Sequence, residues 1–232
     1  VCIDLATNYL LRGEVRRGYR TTERGLDRLR RAGGGIEASY RAAMAAQLAG
    51  FAALEGRFER ADRLVEEALE AAEGSDREWA LPWGEIWGGI ALVEQQRGEV
   101  GERFEEALER RARFEIPAGR SMHQSKHVYL AEAYGRLAQA EEAAGSGEGI
   151  GRLREAVDRL DSAGSNRAME AHLEAVRGGC QRLRERREEA RATLQEAEAA
   201  ALADGNRWAQ FEAVRQRALL FRDRRMEGAA KR

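Results

Sequence analysis

The feature that most restricts this chain is a tight corner that returns about every 42 residues. Gly13, Gly56 and Gly98 each follow one apolar helical stretch and precede another, 43 and then 42 residues apart. A fourth corner is expected over Leu137-Ala138-Gln139-Ala140, and a fifth at Glu185-Arg186-Arg187, where the glycine is lost. One corner per unit at a steady period is the pattern of stacked helix pairs. A lone pair cannot bury both of its faces. Stacked neighbours can, so the core becomes a continuous band shared between units.

The units read in order as pairs at about 1–31, 37–73, 76–114, 121–163 and 166–204. In the first, Leu5, Ala6 and Tyr9 share a face before Gly13, and Val15, Gly18, Thr22 and Gly25 continue at helical spacing. Gly33-Gly34-Gly35 ends it, because each glycine costs a helix about 1 kcal/mol. The second has Leu48, Ala49 and Ala52 before its corner. Phe58, Ala61, Val65 and Ala68 follow, spaced three, four and three. In the third, Trp87, Ile90 and Ala91 lead to Gly98, and Pro117 breaks the second helix. In the fourth, Leu130, Ala131 and Tyr134 precede the expected turn. A flexible insertion at Ala144-Gly145-Ser146-Gly147 then delays the second helix, which carries Leu153, Ala156, Val157 and Leu160. The fifth carries Met169, Leu173, Val176 and Cys180, then Ala190, Leu194 and Ala197. A last helix over 206–223, with Trp208, Phe211, Val214 and Phe221, has no helix after it and reads as a cap. Residues 224–232 read as a polar tail. No stretch alternates like a strand, so the expected class is all-α.

Leu-Ala-Glu-Ala-Tyr at 130–134, Glu-Glu-Ala at 141–143, and Leu48, Ala49, Gly56, Phe58, Ala61 and Ala68 resemble a tetratricopeptide (TPR) repeat. The period exceeds the ~34 residues of the standard repeat. The stretch from Tyr129 to Phe221 is similar to the C-terminal TPR-like region of large bacterial signalling ATPases and transcriptional regulators. The resemblance implies a right-handed α-solenoid of about five TPR-like pairs plus a C-terminal capping helix. It also implies a non-catalytic interaction or regulatory module within a larger protein. A free-standing scaffold or adaptor is the alternative, followed by a small-molecule-sensing domain or an enzyme.

Composition bears on partners. With 39 basic and 40 acidic residues the net charge is −1, so no global field favours nucleic acid or an anionic membrane. Cys2 and Cys180 form no disulfide framework, and a reducing cytoplasm is the expectation. No apolar run approaches the ~20 residues of a membrane span. The opening Val-Cys-Ile-Asp-Leu lacks the basic region of a signal peptide and an initiator Met, so a piece of a longer polypeptide is expected.

Candidate chemistry is sparse. His123 and His127 share a helical face, but two ligands fall short of the three or four that zinc takes, so neither metal nor other cofactor is expected. Trp79, Trp83 and Trp87 form an edge that reads as packing rather than as a peptide anchor. Arg16, Arg17, Arg20, Arg24, Arg28, Arg30 and Arg31 read as a solvated face, with only Tyr19 available to stack on a base. The glycine-rich pieces lack a phosphate loop's lysine. No nucleophile arrangement suggests catalysis. In TPR-like solenoids the first helix of each pair lines the concave surface. On that register Ala46, Gly50 and Ala53 come first. Glu85, Leu92, Gln95, Gln96, Ser125, Glu132, Arg136, His172, Gly179 and Arg182 follow. A protein segment is expected in this groove, with Arg136 and Arg182 meeting carboxylates. The partner is another protein or another domain of the same polypeptide, and a homo-oligomer is compatible with this reading.

Overall fold

The computed structural model describes residues 2–32, 35–73, 105, 108–109, 122–143, 145–162 and 167–230. The elements of regular structure among them are all helices. They are α1 (Cys2–Leu11), α2 (Val15–Ala32), α3 (Gly35–Leu54), α4 (Phe58–Glu73), α5 (Met122–Glu142), α6 (Gly147–Ser162), α7 (Arg167–Leu183), α8 (Arg187–Asp204) and α9 (Arg207–Ala230). The third expected pair and its corner at Gly98 lie outside the described residues, apart from Glu105, Leu108 and Glu109.

The corners share one backbone device. Gly13, Gly56 and Gly205 sit at φ +66°, +74° and +67°, and Glu185 adopts the same left-handed form at φ 60°. The next residue then donates its N–H five positions back. Glu14 bonds the Tyr9 carbonyl, Arg57 that of Ala52, Arg186 that of Gln181 and Asn206 that of Ala201. Such a bond satisfies carbonyls that the helix end leaves bare. Glu185 shows that backbone geometry, more than glycine, defines a corner.

The fourth corner differs from expectation. Residues 137–140 lie inside α5, which continues to Glu142. The turn instead uses the supposed insertion. Gly145 is left-handed at φ +76° and its N–H reaches the Ala140 carbonyl at 2.9 Å. The Ser146 hydroxyl then accepts from the Gly149 N–H at 3.2 Å, capping α6. Leu137-Ala138-Gln139-Ala140 contains good helix formers and no breaker, so nothing stops the helix there. The expected end of the last helix at residue 223 differs too, since α9 runs on as helix to Ala230.

Consecutive helices pack against each other within α1–α4 and within α5–α9, and α1–α3, α5–α7 and α7–α9 also touch. Small residues set the spacing. From Ala42 to Ala53 every residue of α3 is buried, and seven of them are alanine. Leu130–Ala138 of α5 is likewise enclosed. One apolar cluster runs from Ala6 and Leu10 through Phe51, Tyr134 and Val176 to Trp208.

The N-terminal corner joins the C-terminal helices. Asn206 Nδ2 donates to the Leu11 carbonyl at 2.6 Å, and His172 Nε2 lies 3.1 Å from the same oxygen. A Cβ on Gly13 would lie 2.7 Å from the Trp208 backbone nitrogen, so the two backbones meet closely there.

Candidate functional site

The side chains expected to line a groove form a sequence of buried polar knots along α5, α7 and α9. Ala46, Gly50 and Ala53 of α3 are fully enclosed. Glu132 is 2% exposed and accepts from Arg159 Nη2 of α6 at 2.5 Å. Arg136 grips Glu105 through both terminal nitrogens, and Gln139 joins them, donating to Glu105 at 2.8 Å. Burial works to raise the Glu105 carboxyl. The bonds from Arg136 and Gln139, with the charges of Arg136 and Arg152, outweigh burial and hold it below its ordinary value.

Arg182 is the hub of the third knot. Its Nε reaches Gln216 at 2.9 Å, Nη1 reaches Asp223 at 3.0 Å and Nη2 reaches Glu141 at 2.7 Å. Arg215 bridges Glu141 at 2.9 Å and Glu212 at 2.7 Å. Burial opposes the Arg215 charge, but Glu212 and Glu141 more than compensate and raise its pKa further. Arg136 and Arg182 do meet carboxylates, and these belong to the chain itself. Reversing either charge would leave these part-buried acids facing another acid at a largely buried position, which disrupts folding before it reports on binding.

His172 is fully buried and packs edge-on against Tyr134 and Trp208, whose rings stack on each other at 4.8 Å. Tyr134 Oη lies 2.7 Å from His172 Nδ1. Nε2 lies within reach of both the Leu11 carbonyl at 3.1 Å and Asn206 Nδ2 at 3.0 Å, so each ring nitrogen has a polar partner. Burial depresses the His172 pKa to about 4, against a smaller opposing effect of its bond to Leu11. Burial also raises Tyr134 well above its ordinary value. Both rings are therefore neutral at pH 7 and sealed from solvent, a structural tie between α5, α7 and the N-terminal corner.

The inner row opens to solvent at one end. There Leu183, Leu219 and Leu220 line a cleft of about 580 Å³. Arg182, Arg187, Arg222, Glu142 and Glu185 share its lining.

Other candidates separate. Ser125 lies on α5. Glu85, Gln95, Gln96 and the three tryptophans at 79, 83 and 87 lie outside the described residues. Among the described residues, no group of three or more His, Cys, Asp or Glu side chains is arranged to hold a metal ion. No described helix is long and apolar enough to cross a membrane. Tyr19 is buried, with the Arg57 guanidinium 4.9 Å from its ring centroid, so its face is already taken. No protein-family model, curated protein or solved structure matches this chain.

Sequence reasoning missed Glu141, Glu212, Arg215 and Gln216. Placing the turn at 137–140 put Glu141 beyond the inner helix, although it is the acid that joins Arg182 to Arg215. Asn206 carried a readable signal. It follows Gly205 and stands three residues before Ala209, whose N–H its Oδ1 caps at 3.1 Å.

Proposed function

We propose that this chain is a TPR-like, right-handed α-solenoid of about five helix pairs with a terminal helix, and that it binds a protein segment without catalysing a reaction. The corner period of about 42 residues supports the solenoid, as does contact between alternate helices, the signature of a stacked row. The observation that carries the binding role is the cleft beside Arg182. Its three leucines suit one or two hydrophobic side chains of a ligand, and the charged residues that share its lining suit their polar neighbours. Among the described residues of the inner face, Glu132, Arg136 and His172 are committed to internal bonds, which leaves this cleft as the place for a ligand. The resemblance to signalling ATPases supports a cytoplasmic regulatory role inside a larger protein. An upstream phosphate-binding loop in the full reading frame would distinguish that role from a free-standing adaptor.

The test is selection of displayed random peptides on the immobilised chain, followed by affinity measurement. Leu219→Glu and Arg187→Glu are expected to weaken the selected peptides at least about tenfold, equivalent to 1.4 kcal/mol. Peptides that bind both variants like the parent would refute the cleft as the binding place.

A further inference from the structure

The last helix is covered on one side. Trp208, Ala209, Glu212, Ala213, Gln216 and Leu220 of α9 are buried. On the opposite side Phe211 is 62% exposed, Val214 45% and Phe221 50%, with Ala218 exposed between them. Spacings of three, four and three set these four on one stripe. Contiguous apolar surface on a helix marks a docking face.

The chain itself indicates what covers such a stripe. α3 is covered by α4 through Ala61, Leu64, Val65 and Ala68, and α7 by α8 through Ala190, Leu194 and Ala197. Among the described residues, no helix stands to α9 as α4 stands to α3. Helices within each half are also tied by arginine–carboxylate pairs. Arg30 of α2 meets Glu67 of α4 at 2.6 Å, and Arg177 of α7 meets Asp161 of α6 at 3.1 Å. Along the stripe, Arg207 stands at one end and Arg222 on one flank, both exposed. The acids nearby are shared: Glu212 is buried against Arg215, and Asp223 bonds Arg182 at 3.0 Å and Arg222 at 3.4 Å, which leaves Arg207 as the stripe's cation without an acidic partner among the pairs formed on α9.

We infer that this stripe is an interaction surface for a partner's amphipathic helix, which lies on α9 as α4 lies on α3. The occupant presents alanine with leucine or valine at spacings of three and four, and flanks them with acidic residues. A second copy fits poorly. Pairing two α9 helices antiparallel sets Arg207 beside the other copy's Arg222, and pairing them parallel sets each arginine beside its counterpart. Arg215 and Arg222 line the cleft, whereas Phe211, Val214, Ala218 and Phe221 do not, so substitutions in the stripe and at Leu219 test the two surfaces apart.

The probe is a fluorescently labelled synthetic peptide with the sequence of residues 57–73, titrated with the whole chain and read by anisotropy. Saturable binding is expected. Phe211→Glu with Phe221→Glu should weaken it at least about tenfold, and Arg207→Glu several-fold, while Leu219→Glu in the cleft leaves it unchanged. All are compared with the parent by circular dichroism, which the exposed stripe substitutions should not alter. No saturable binding up to about 1 mM overturns the inference, as does equal binding by the double variant or by a scrambled peptide of the same composition. A parent dimer in sedimentation equilibrium that the double variant dissolves would also overturn it, because the occupant would then be a second copy.

Discussion

Replacing glycine by alanine inside a helix stabilises a protein unless the new methyl meets something. Two glycines here should respond with opposite signs. Gly151 lies on the exposed side of α6, with nothing within 4 Å of a built Cβ. Gly151→Ala therefore gains helix propensity alone, about 0.5–1 kcal/mol. Gly18 is buried on α2, where a Cβ would lie 2.0 Å from Cζ and 2.2 Å from Cε1 of Phe51. Carbon atoms need about 3.5 Å, so the ring must move by roughly 1.5 Å. Phe51 is fully enclosed. Overpacking of this kind costs about 1–3 kcal/mol, and the propensity gain offsets about 1 of that. Gly18→Ala should destabilise by up to roughly 2 kcal/mol. In thermal unfolding followed by circular dichroism, Gly151→Ala should raise the midpoint by roughly 1–4 °C and Gly18→Ala lower it, by up to roughly 4–8 °C. Adding Phe51→Leu to Gly18→Ala should recover part of the loss, because the methyl then fills space the ring vacates. That double-mutant coupling should be about 1 kcal/mol. If Gly18→Ala raised the midpoint as much as Gly151→Ala, the close packing of α2 on α3 would be wrong.

Two further predictions test the tie between the chain's ends. His172 titrates near 4 when folded, against an ordinary 6.5, so the unfolded chain binds its proton first as pH falls. Its contribution is complete above pH 6.5 and declines as pH drops through 4, by about 3 kcal/mol at the limit. The stability difference between the parent and His172→Gln, from urea unfolding at pH 7, 5.5 and 4.5, should shrink steadily with acid; a constant difference would refute the neutral, sealed imidazole. Gly13 and Gly56 share a left-handed backbone, but only at Gly13 would a Cβ strike other backbone atoms, the Trp208 and Arg207 nitrogens at 2.7 and 2.8 Å. Gly56→Ala should cost about 1 kcal/mol and Gly13→Ala at least about 1 kcal/mol more; equal losses would mean that the first corner does not dock on α9.

Helix content and most boundaries were legible because they depend on short-range chemistry. Ala61, Val65 and Ala68 announce a helix face through their spacing, and Gly56 announces its corner through φ. Glu185 was legible in spite of its side chain, since the periodicity on either side of it demanded a turn. The fourth corner was misread for the converse reason. A family-like pattern at 130–143 outweighed the plainer signal of Gly145-Ser146, the one place where a helix formed from these residues must stop.

The groove was misjudged for a different reason. Its residues were assigned to the inner face by register, and Glu132, Arg136, His172 and Arg182 do lie along α5 and α7. Register says which way a side chain faces, but not whether water is there. That depends on pairings across 27 residues for Glu132 with Arg159, 31 for Arg136 with Glu105 and 161 for His172 with Leu11. No local pattern encodes those distances. A charged residue on an inward face therefore carries two readings, and the nearest unpaired opposite charge in sequence does not choose between them. Exposed apolar side chains are more informative here. Burying Phe211 or Phe221 would have stabilised the fold by about 1.5–3 kcal/mol each, and the chain leaves both outside.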